Sequence, residues 1–350
     1  MKDQPYSWSE ILLVLNNGQD LSDLQARSAM REILEDRANT EQIKSFLLAL
    51  KAKGESALEV GALVAEMLQH AAPILVQERS VDVVGTGGDI AHTINISTTS
   101  AIVAAAAGAR VVKHGNRATT SLSGAADLLE ALGVAINLGG SAVEKCVAEL
   151  GIGFCFAPMF HPAMRFAGPS RKELGIPTVF NILGPLANPA KPQAAAIGVA
   201  NDRALPIMAQ VLADRGMDGF LFRGDDGLDE ITLATTTTVL TISEGQVAES
   251  KIDPQDFGIS YSPLADLRGG DAFENARITH SIFAGEKGAP RDAIILNSAS
   301  AIAAFVGDNS LSPIERISAG ISAATHAIDS GAAIQLLDRW IELSQKLALS

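Results

Sequence analysis

Residues 81–117 read VDVVGTGGDIAHTINISTTSAIVAAAAGARVVKHGNR, and the fold turns on this stretch. Val81-Asp-Val-Val84 is a short β-branched run that enters the glycine turn Gly85-Thr-Gly-Gly-Asp89, as a strand does. Asn95-Ile-Ser-Thr98 then leads into an alanine-rich helix over Thr99–Ala107. A second strand, Ala109–Lys113, runs into Lys113-His-Gly-Asn-Arg117. Strand, helix and strand in succession argue for parallel pairing.

Working outward, the same alternation continues. A helix is expected at Ala125–Leu132, and Ser141-Ala-Val-Glu144 carries a capping signature for another. Ile152–Phe156 reads as a buried strand. Ala194–Val199, Gly219–Arg223 and Thr236–Ile242 are strand-like, Leu205–Arg215 is helical, and two long helical segments close the chain. Upstream the pattern is helical throughout. Ser22-Asp-Leu-Gln25 and Ser56-Ala-Leu-Glu59 are capping boxes, and a helix from Thr40 stops at Gly54. The expected class is α/β. A small all-helical domain over 1–70 precedes a large domain over 71–350, whose mostly parallel central sheet is covered on both faces.

Composition narrows the function. The 350 residues are 47% apolar and 19% charged, which suits a packed chain and not a disordered one. The longest apolar stretch, around Ala101–Gly108, is far short of the roughly 20 residues that span a bilayer. Only Cys146 and Cys155 occur, in no metal or redox spacing, so a reduced cytoplasmic protein is expected. A net charge of −13 works against nucleic-acid partners. It also requires any anionic substrate to be held by a local cationic pocket or a metal.

Each loop after a strand carries candidate chemistry. Gly85–Asp89 lets backbone N–H groups approach an anion, with Thr86 and Thr93 as hydroxyl donors; the same glycines would make an ordinary tight turn. Ser97 and Thr98 open a helix, where they either face a phosphate or simply cap. Lys113–Arg117 with Ala118-Thr-Thr-Ser121 gathers two cations, an amide and three hydroxyls, as a polyanion would need or a solvated loop would carry. Asp229 and Glu230 are adjacent hard oxygen donors suited to Mg²⁺ shared with a phosphate, or an acidic turn, with Asp89 a further contributor. Arg171 is placed to pair with a carboxylate or to sit on a helix surface, and Pro158, His161 and Met164 would line an apolar slot or the core.

Taken together, Gly85–Asp89, Asn95–Thr98, Lys113–Arg117, Asp127–Gly133, Arg171–Gly175, Thr178–Asn181, Gly184–Pro189 and Asp229–Glu230 resemble, in order and spacing, the anthranilate phosphoribosyltransferase family over almost the whole chain. The resemblance implies a fold like that of pyrimidine nucleoside phosphorylases. It implies transfer of the phosphoribosyl group of phosphoribosyl pyrophosphate (PRPP) to anthranilate, in tryptophan biosynthesis, by a homodimer joined through its helical domain. By this resemblance PRPP meets Gly85, Gly88, Asp89, Thr93, Asn95, Ile96, Ser97, Thr98, Lys113, His114, Gly115, Asn116, Arg117, Ala118, Thr119, Thr120, Ser121 and, through backbone, Ala125. Anthranilate meets Gly85, Asn116 and Arg171, and two Mg²⁺ per subunit are held by Ser97, Asp229 and Glu230. No covalent nucleophile is implied. One departure stands out: Leu122 occupies a position where many members carry lysine. A nucleoside phosphorylase of the same fold is the nearest rival reading, and the absence of its lysine-bearing loop weighs against it.

Overall fold

The computed structural model describes residues 6–89, 91–118 and 121–349. Four helices come first: α1 (Trp8–Asn16), α2 (Asp23–Leu34), α3 (Thr40–Lys53) and α4 (Ala57–Gln69). Each opens with a reciprocal capping box, from Ser7, Ser22, Asn39 and Ser56 to Glu10, Gln25, Gln42 and Glu59. Two donors left over at each helix start are satisfied in this way. Gly54, at φ +92°, ends α3 as its position in the sequence predicts.

The sheet follows. In order come β1 (Val81–Gly85), α5 (Ile96–Ala106), β2 (Val111–Gly115), α6 (Ala125–Ala131), α7 (Gly140–Leu150) and β3 (Ile152–Phe156). Three short helices, α8 (Ala157–Phe160), α9 (Gly168–Leu174) and α10 (Phe180–Leu186), lead to β4 (Ala194–Gly198) and α11 (Ala204–Asp214). Then come β5 (Asp218–Gly224), β6 (Thr237–Ser243), β7 (Gln246–Ile252) and the helices α12 (Ala272–Phe283), α13 (Ala289–Val306), α14 (Pro313–Asp329) and α15 (Ala332–Ala348). The strands lie in the order β3-β2-β1-β4-β5-β6-β7. Pairing is parallel from β3 to β5 and antiparallel from β5 to β7.

Strand alternation splits the core in two. Val81, Val83, Ala194, Ala196, Phe220 and Phe222 face the layer of α5, α13, α14 and α15. Val84, Ala195, Ile197, Leu221 and Leu240 face α10, α11 and the four N-terminal helices, and Phe46, Leu63 and Met208 join that second core. The first helices are thus packed onto one face of the sheet through α11 and α10.

Several local expectations need correction. The α5 helix begins at Ile96, three residues before Thr99, because Asn95 takes the N-cap place. Ser141 does not cap α7: the helix starts at Gly140, whose position leaves no room for a Cβ against the Pro73 carbonyl. Glu144 instead accepts from the Leu75 N–H at 2.7 Å. Four helices close the chain where two long segments were expected, because Gly285 and Gly288 separate α12 from α13 and Gly331 separates α14 from α15. Among the described residues no helix is long and apolar enough to cross a membrane.

Candidate active site

From β1 the chain moves one way to β2 and β3, then returns to place β4 on the other side of β1. The β1/β4 boundary is therefore a topological switch point, where a crevice opens at the strand carboxyl ends. Those ends are Gly85 and Gly198, which lie side by side in register. The turn after β5 carries Asp229 and Glu230 across them. A Cβ on Gly85 would strike the Asp229 carboxylate, and one on Gly198 would overlap the Asp229 carbonyl. Two absent side chains thus seat the acidic pair in the crevice.

The glycine loop closes on that pair. Gly87 and Gly88 take positive φ, 69° and 88°, and the Gly87 N–H donates to Asp229 Oδ2 at 2.6 Å. The Thr86 N–H donates to the Gly198 carbonyl at 2.9 Å, and Thr86 Oγ1 accepts from Ala200 N–H at 3.1 Å. Thr86 thereby fastens the turn to β4 and leaves the following loop facing outward. From the other side, Asn297 of α13 clamps Ile231 by accepting from its N–H at 2.9 Å and donating to its carbonyl at 3.0 Å.

Charge is concentrated here. Burial, then Asp89, pushes Asp229 up to about 8. Burial, then Asp229, pushes Glu230 well above the carboxylate range, against a hydrogen bond from the Ser97 N–H. Lys113 is buried beneath, donating to the Val83 carbonyl and to Ser97 Oγ at 3.3 Å. Burial lowers its ammonium to about 8, while Asp82, Glu230 and Asp229 oppose the fall. Burial and the carboxylates beside them thus disfavour charge on Asp229 and Glu230, and a cation between them would relieve it. Among the described residues no set of three or more His, Cys, Asp or Glu encloses a metal. Two carboxylates beside a Ser97 hydroxyl suit Mg²⁺, which keeps waters and shares its sphere with phosphate oxygens.

The second loop is held from below. Asp127 of α6 accepts at Oδ2 from both Ala118 N–H and Gly124 N–H, each at 2.9 Å, stapling the ends of residues 118–124. Arg117 pairs with Asp127 at 3.0 Å and with Glu130, over the Phe156 ring. Asn116 Oδ1 accepts from Arg117 N–H at 2.7 Å, and its carbonyl accepts from Ala126 N–H at 3.2 Å, just inside α6 from Ala125. Ser121 donates to the Ser123 carbonyl at 3.3 Å, and Leu122 is exposed. Gly115 packs where a Cβ would press Phe154 and Ala125. Thr119 and Thr120 lie outside the described residues.

Asn95 joins the loops: its Nδ2 donates to the Ser123 carbonyl at 2.9 Å, and its Oδ1 accepts from Ser123 Oγ at 2.9 Å and Asn275 Nδ2 at 2.8 Å. Ile96 and Thr98 are buried in the first turn of α5. Thr93 forms an isolated antiparallel bridge with Arg268.

On the opposite sheet face, His114 Nδ1 is 3.0 Å from the Gly184 carbonyl, and its ring meets His161 edge-on at 5.2 Å. Burial lowers His114 to about 3, and His161 in the same direction. The neutral His114 has its Nε2 buried with no partner among the described residues. Arg171 lies over the Phe180 ring at 5.4 Å and has no carboxylate partner among the described residues. A partly buried guanidinium without a counter-ion suits a carboxylate ligand. His161 is buried and Met164 packs on the second core, whereas Pro158 is exposed. The structure therefore gathers the glycine loop, Ser97, Lys113, Asp229 and Glu230 in one crevice, with Arg171 set apart on α9.

Asn297 and Asn275 escaped the sequence reading, as did the buried pairing of Asp82 with Asn188 (2.8 Å), which lay inside quoted motifs without an assigned role. Asn297 had a signal, an amide inside the apolar run Ala293–Ala304.

Two family models match the chain: "Glycosyl transferase family, helical bundle domain" over 9–71 and "Glycosyl transferase family, a/b domain" over 77–334. The chain is 54% identical to an anthranilate phosphoribosyltransferase of Rhodococcus jostii, covering 98% of this chain and 95% of that protein. It is 51% identical to one of Nocardia farcinica, covering 96% and 99%. Among solved structures, the enzyme of Thermus thermophilus superposes with a TM-score of 0.88 at 37% identity, covering 96% and 99%. The Saccharomyces cerevisiae enzyme, in complex with PRPP and Mg, gives 0.86 at 29%, covering 97% and 98%. Both the switch-point crevice and these likenesses place the chain in the anthranilate phosphoribosyltransferase family of pentosyltransferases, to which it belongs.

Proposed function

We propose that this chain transfers the 5-phosphoribosyl group of PRPP to the amine of anthranilate, giving N-(5-phosphoribosyl)anthranilate and pyrophosphate, the second step from chorismate to tryptophan. The observation that carries the reading is the crevice itself, where a glycine loop, a helix N-terminus and the buried Asp229–Glu230 pair converge. The related yeast enzyme has been solved with PRPP and Mg, and also with 4-fluoroanthranilate.

PRPP is taken to lie over Gly85, Gly88, Asp89 and Thr93, against the N-terminus of α5 at Ser97 and Thr98, and under the 113–121 loop. Backbone N–H groups there meet negative charge at no reorganisation cost. Asp229, Glu230 and Ser97 would hold Mg²⁺, two ions per subunit, which when bound neutralises the departing pyrophosphate. In the reaction the bond from C1 to the pyrophosphate oxygen breaks and the bond from C1 to the amine nitrogen forms. The amine nitrogen then gives one proton to solvent water. An aniline nitrogen is already a neutral nucleophile, so this chain needs to orient it and exclude water. Arg171 would hold the anthranilate carboxylate, with Asn116 and Gly85 beside the ring.

A homodimer joined through the N-terminal helices belongs to the same proposal. Leu13, Leu24, Leu48 and Leu58, one on each of α1 to α4, are exposed. A cytoplasmic setting is also proposed, and the free, buried Cys146 and Cys155 suit it.

The test is direct. Purified protein, Mg²⁺, PRPP and anthranilate are mixed, and anthranilate fluorescence is followed with mass analysis of the product. Fluorescence loss that needs both PRPP and Mg²⁺, with phosphoribosylanthranilate formed, is expected. No turnover from folded protein over a wide PRPP range would overturn the proposal.

A further inference from the structure

Arg268 follows a single helical turn (Leu264–Leu267) that straps the loop between β1 and α5. The strap is continuous: the Ile94 N–H donates to the Leu267 carbonyl at 2.9 Å, and the Gly269 N–H donates to the His92 carbonyl at 2.9 Å. Between these two bonds, Thr93 and Arg268 face each other as an antiparallel bridge pair. Bridge partners project their side chains to the same side, with Cβ atoms about 4.5–5.5 Å apart. Whatever Thr93 faces, Arg268 therefore flanks. Gly269 fixes this approach, since a Cβ there would press the Thr93 carbonyl, the Ile94 nitrogen and the Asn275 amide oxygen.

The other cations around the crevice are committed. Lys113 is buried and bonded to Val83 and Ser97, and Arg117 is paired with Asp127 and Glu130. Leu122, exposed in the neighbouring loop, supplies no charge. Asn95 links that loop to the strap's end: it bonds Ser123 on one side and Asn275 of α12 on the other, and Asn275 Oδ1 accepts from the Gly270 N–H at 2.8 Å. Arg268 is exposed and has no ion-pair partner among the described residues.

We propose that Arg268 is a phosphate-binding residue of the PRPP site, reaching beside Thr93 to a phosphoryl oxygen of the donor substrate. This rests on the phosphoribosyl-transfer reading above. A guanidinium fork at a solvent-open rim can swing onto a polyanion as it docks, and its charge-assisted bond is retained through the reaction. Uniform binding of that kind lowers KM and leaves kcat nearly unchanged.

The experiment compares wild type, Arg268→Ala and Arg268→Lys in steady-state kinetics, with PRPP and anthranilate varied separately. Arg268→Ala is expected to raise the KM for PRPP by about tenfold to a hundredfold. The KM for anthranilate, kcat and the melting temperature stay close to wild type, and Arg268→Lys recovers part of the PRPP affinity. An unchanged PRPP KM in Arg268→Ala, with wild type active, makes Arg268 a solvated surface residue and overturns the inference alone. Equal losses in Arg268→Ala and Arg268→Lys, with a lowered melting temperature, assign it to holding the strap and also overturn it. An inactive wild type overturns the underlying reading and this inference together.

Discussion

Gly198 is the position where one methyl group would do most damage. Its Cβ would occupy the place of the Asp229 carbonyl, so Gly198→Ala must push the acidic pair off the strand ends. Overpacking of this kind costs about 1–3 kcal/mol, so a lowered melting temperature and a raised KM for PRPP are expected. Asp229→Asn with Glu230→Gln keeps the shapes and removes the charge. Turnover should fall at least about a hundredfold, since even partners behind metal ligands cost about 10–100-fold. The variant should fold, because the amides keep the carboxylates' shape and burial disfavours charge at both positions. Arg171→Ala should raise the KM of anthranilate and leave that of PRPP, as a guanidinium without an internal counter-ion is free for the acceptor. An unmoved anthranilate KM would remove that assignment.

At the level of helices and loops, Asp127 is the clearest case of one side chain tying separate backbone groups together. It accepts from the N–H groups at both ends of residues 118–124, and it holds Arg117. Asp127→Ala frees those donors, at about 1–3 kcal/mol of lost order. Faster amide exchange at Ala118 and Gly124 and a weaker grip on PRPP are the expected readouts. How much could be read from sequence also shows here. The β1–α5–β2 unit was legible because its strands are β-branched and its loops are glycine-punctuated. The helices α8–α10 were not: each has seven residues or fewer, all three contain a proline, and no periodic face can develop over such a length. The strand β7 was invisible because its exposed face makes QVAESKI polar, so no apolar alternation marks it. Ser141 shows the converse, a correct signature overruled by the close approach of Gly140 to Pro73. The site residues stood in strand-end loops and could be named. The contacts that hold them, made by Asn297, Asn275 and Asn188, reach across 66 to 180 residues, and such contacts leave no local pattern even where the residue lies in a quoted motif.

The two cores and their junction govern stability. His114 sits where the sheet meets α10, against His161, and burial moves it from an ordinary 6.5 to about 3. Between those values the unfolded chain binds a proton that the folded chain refuses, so stability falls as pH drops below 6.5. Asp82, raised from 3.8 to about 6, works in the opposite sense between those two values. Urea unfolding at neutral and acidic pH, in wild type and His114→Gln, isolates the histidine: the variant should lose less stability on acidification. An unchanged pH slope would mean that His114 titrates normally. Oligomeric state is tested through the exposed leucines. Light scattering should give a dimer for wild type and a monomer for Leu24→Glu with Leu58→Glu; a wild-type monomer would end the dimer proposal.

The central claim is that PRPP binds at the β1/β4 switch point through Asp229, Glu230 and the glycine loop. Calorimetric titration of PRPP into wild type and into Asp229→Asn/Glu230→Gln, with and without Mg²⁺, addresses it most directly. Saturable, Mg²⁺-dependent binding in wild type, lost or weakened at least about a hundredfold in the variant, is the predicted result. Equal binding by both proteins, indifferent to Mg²⁺, would contradict it.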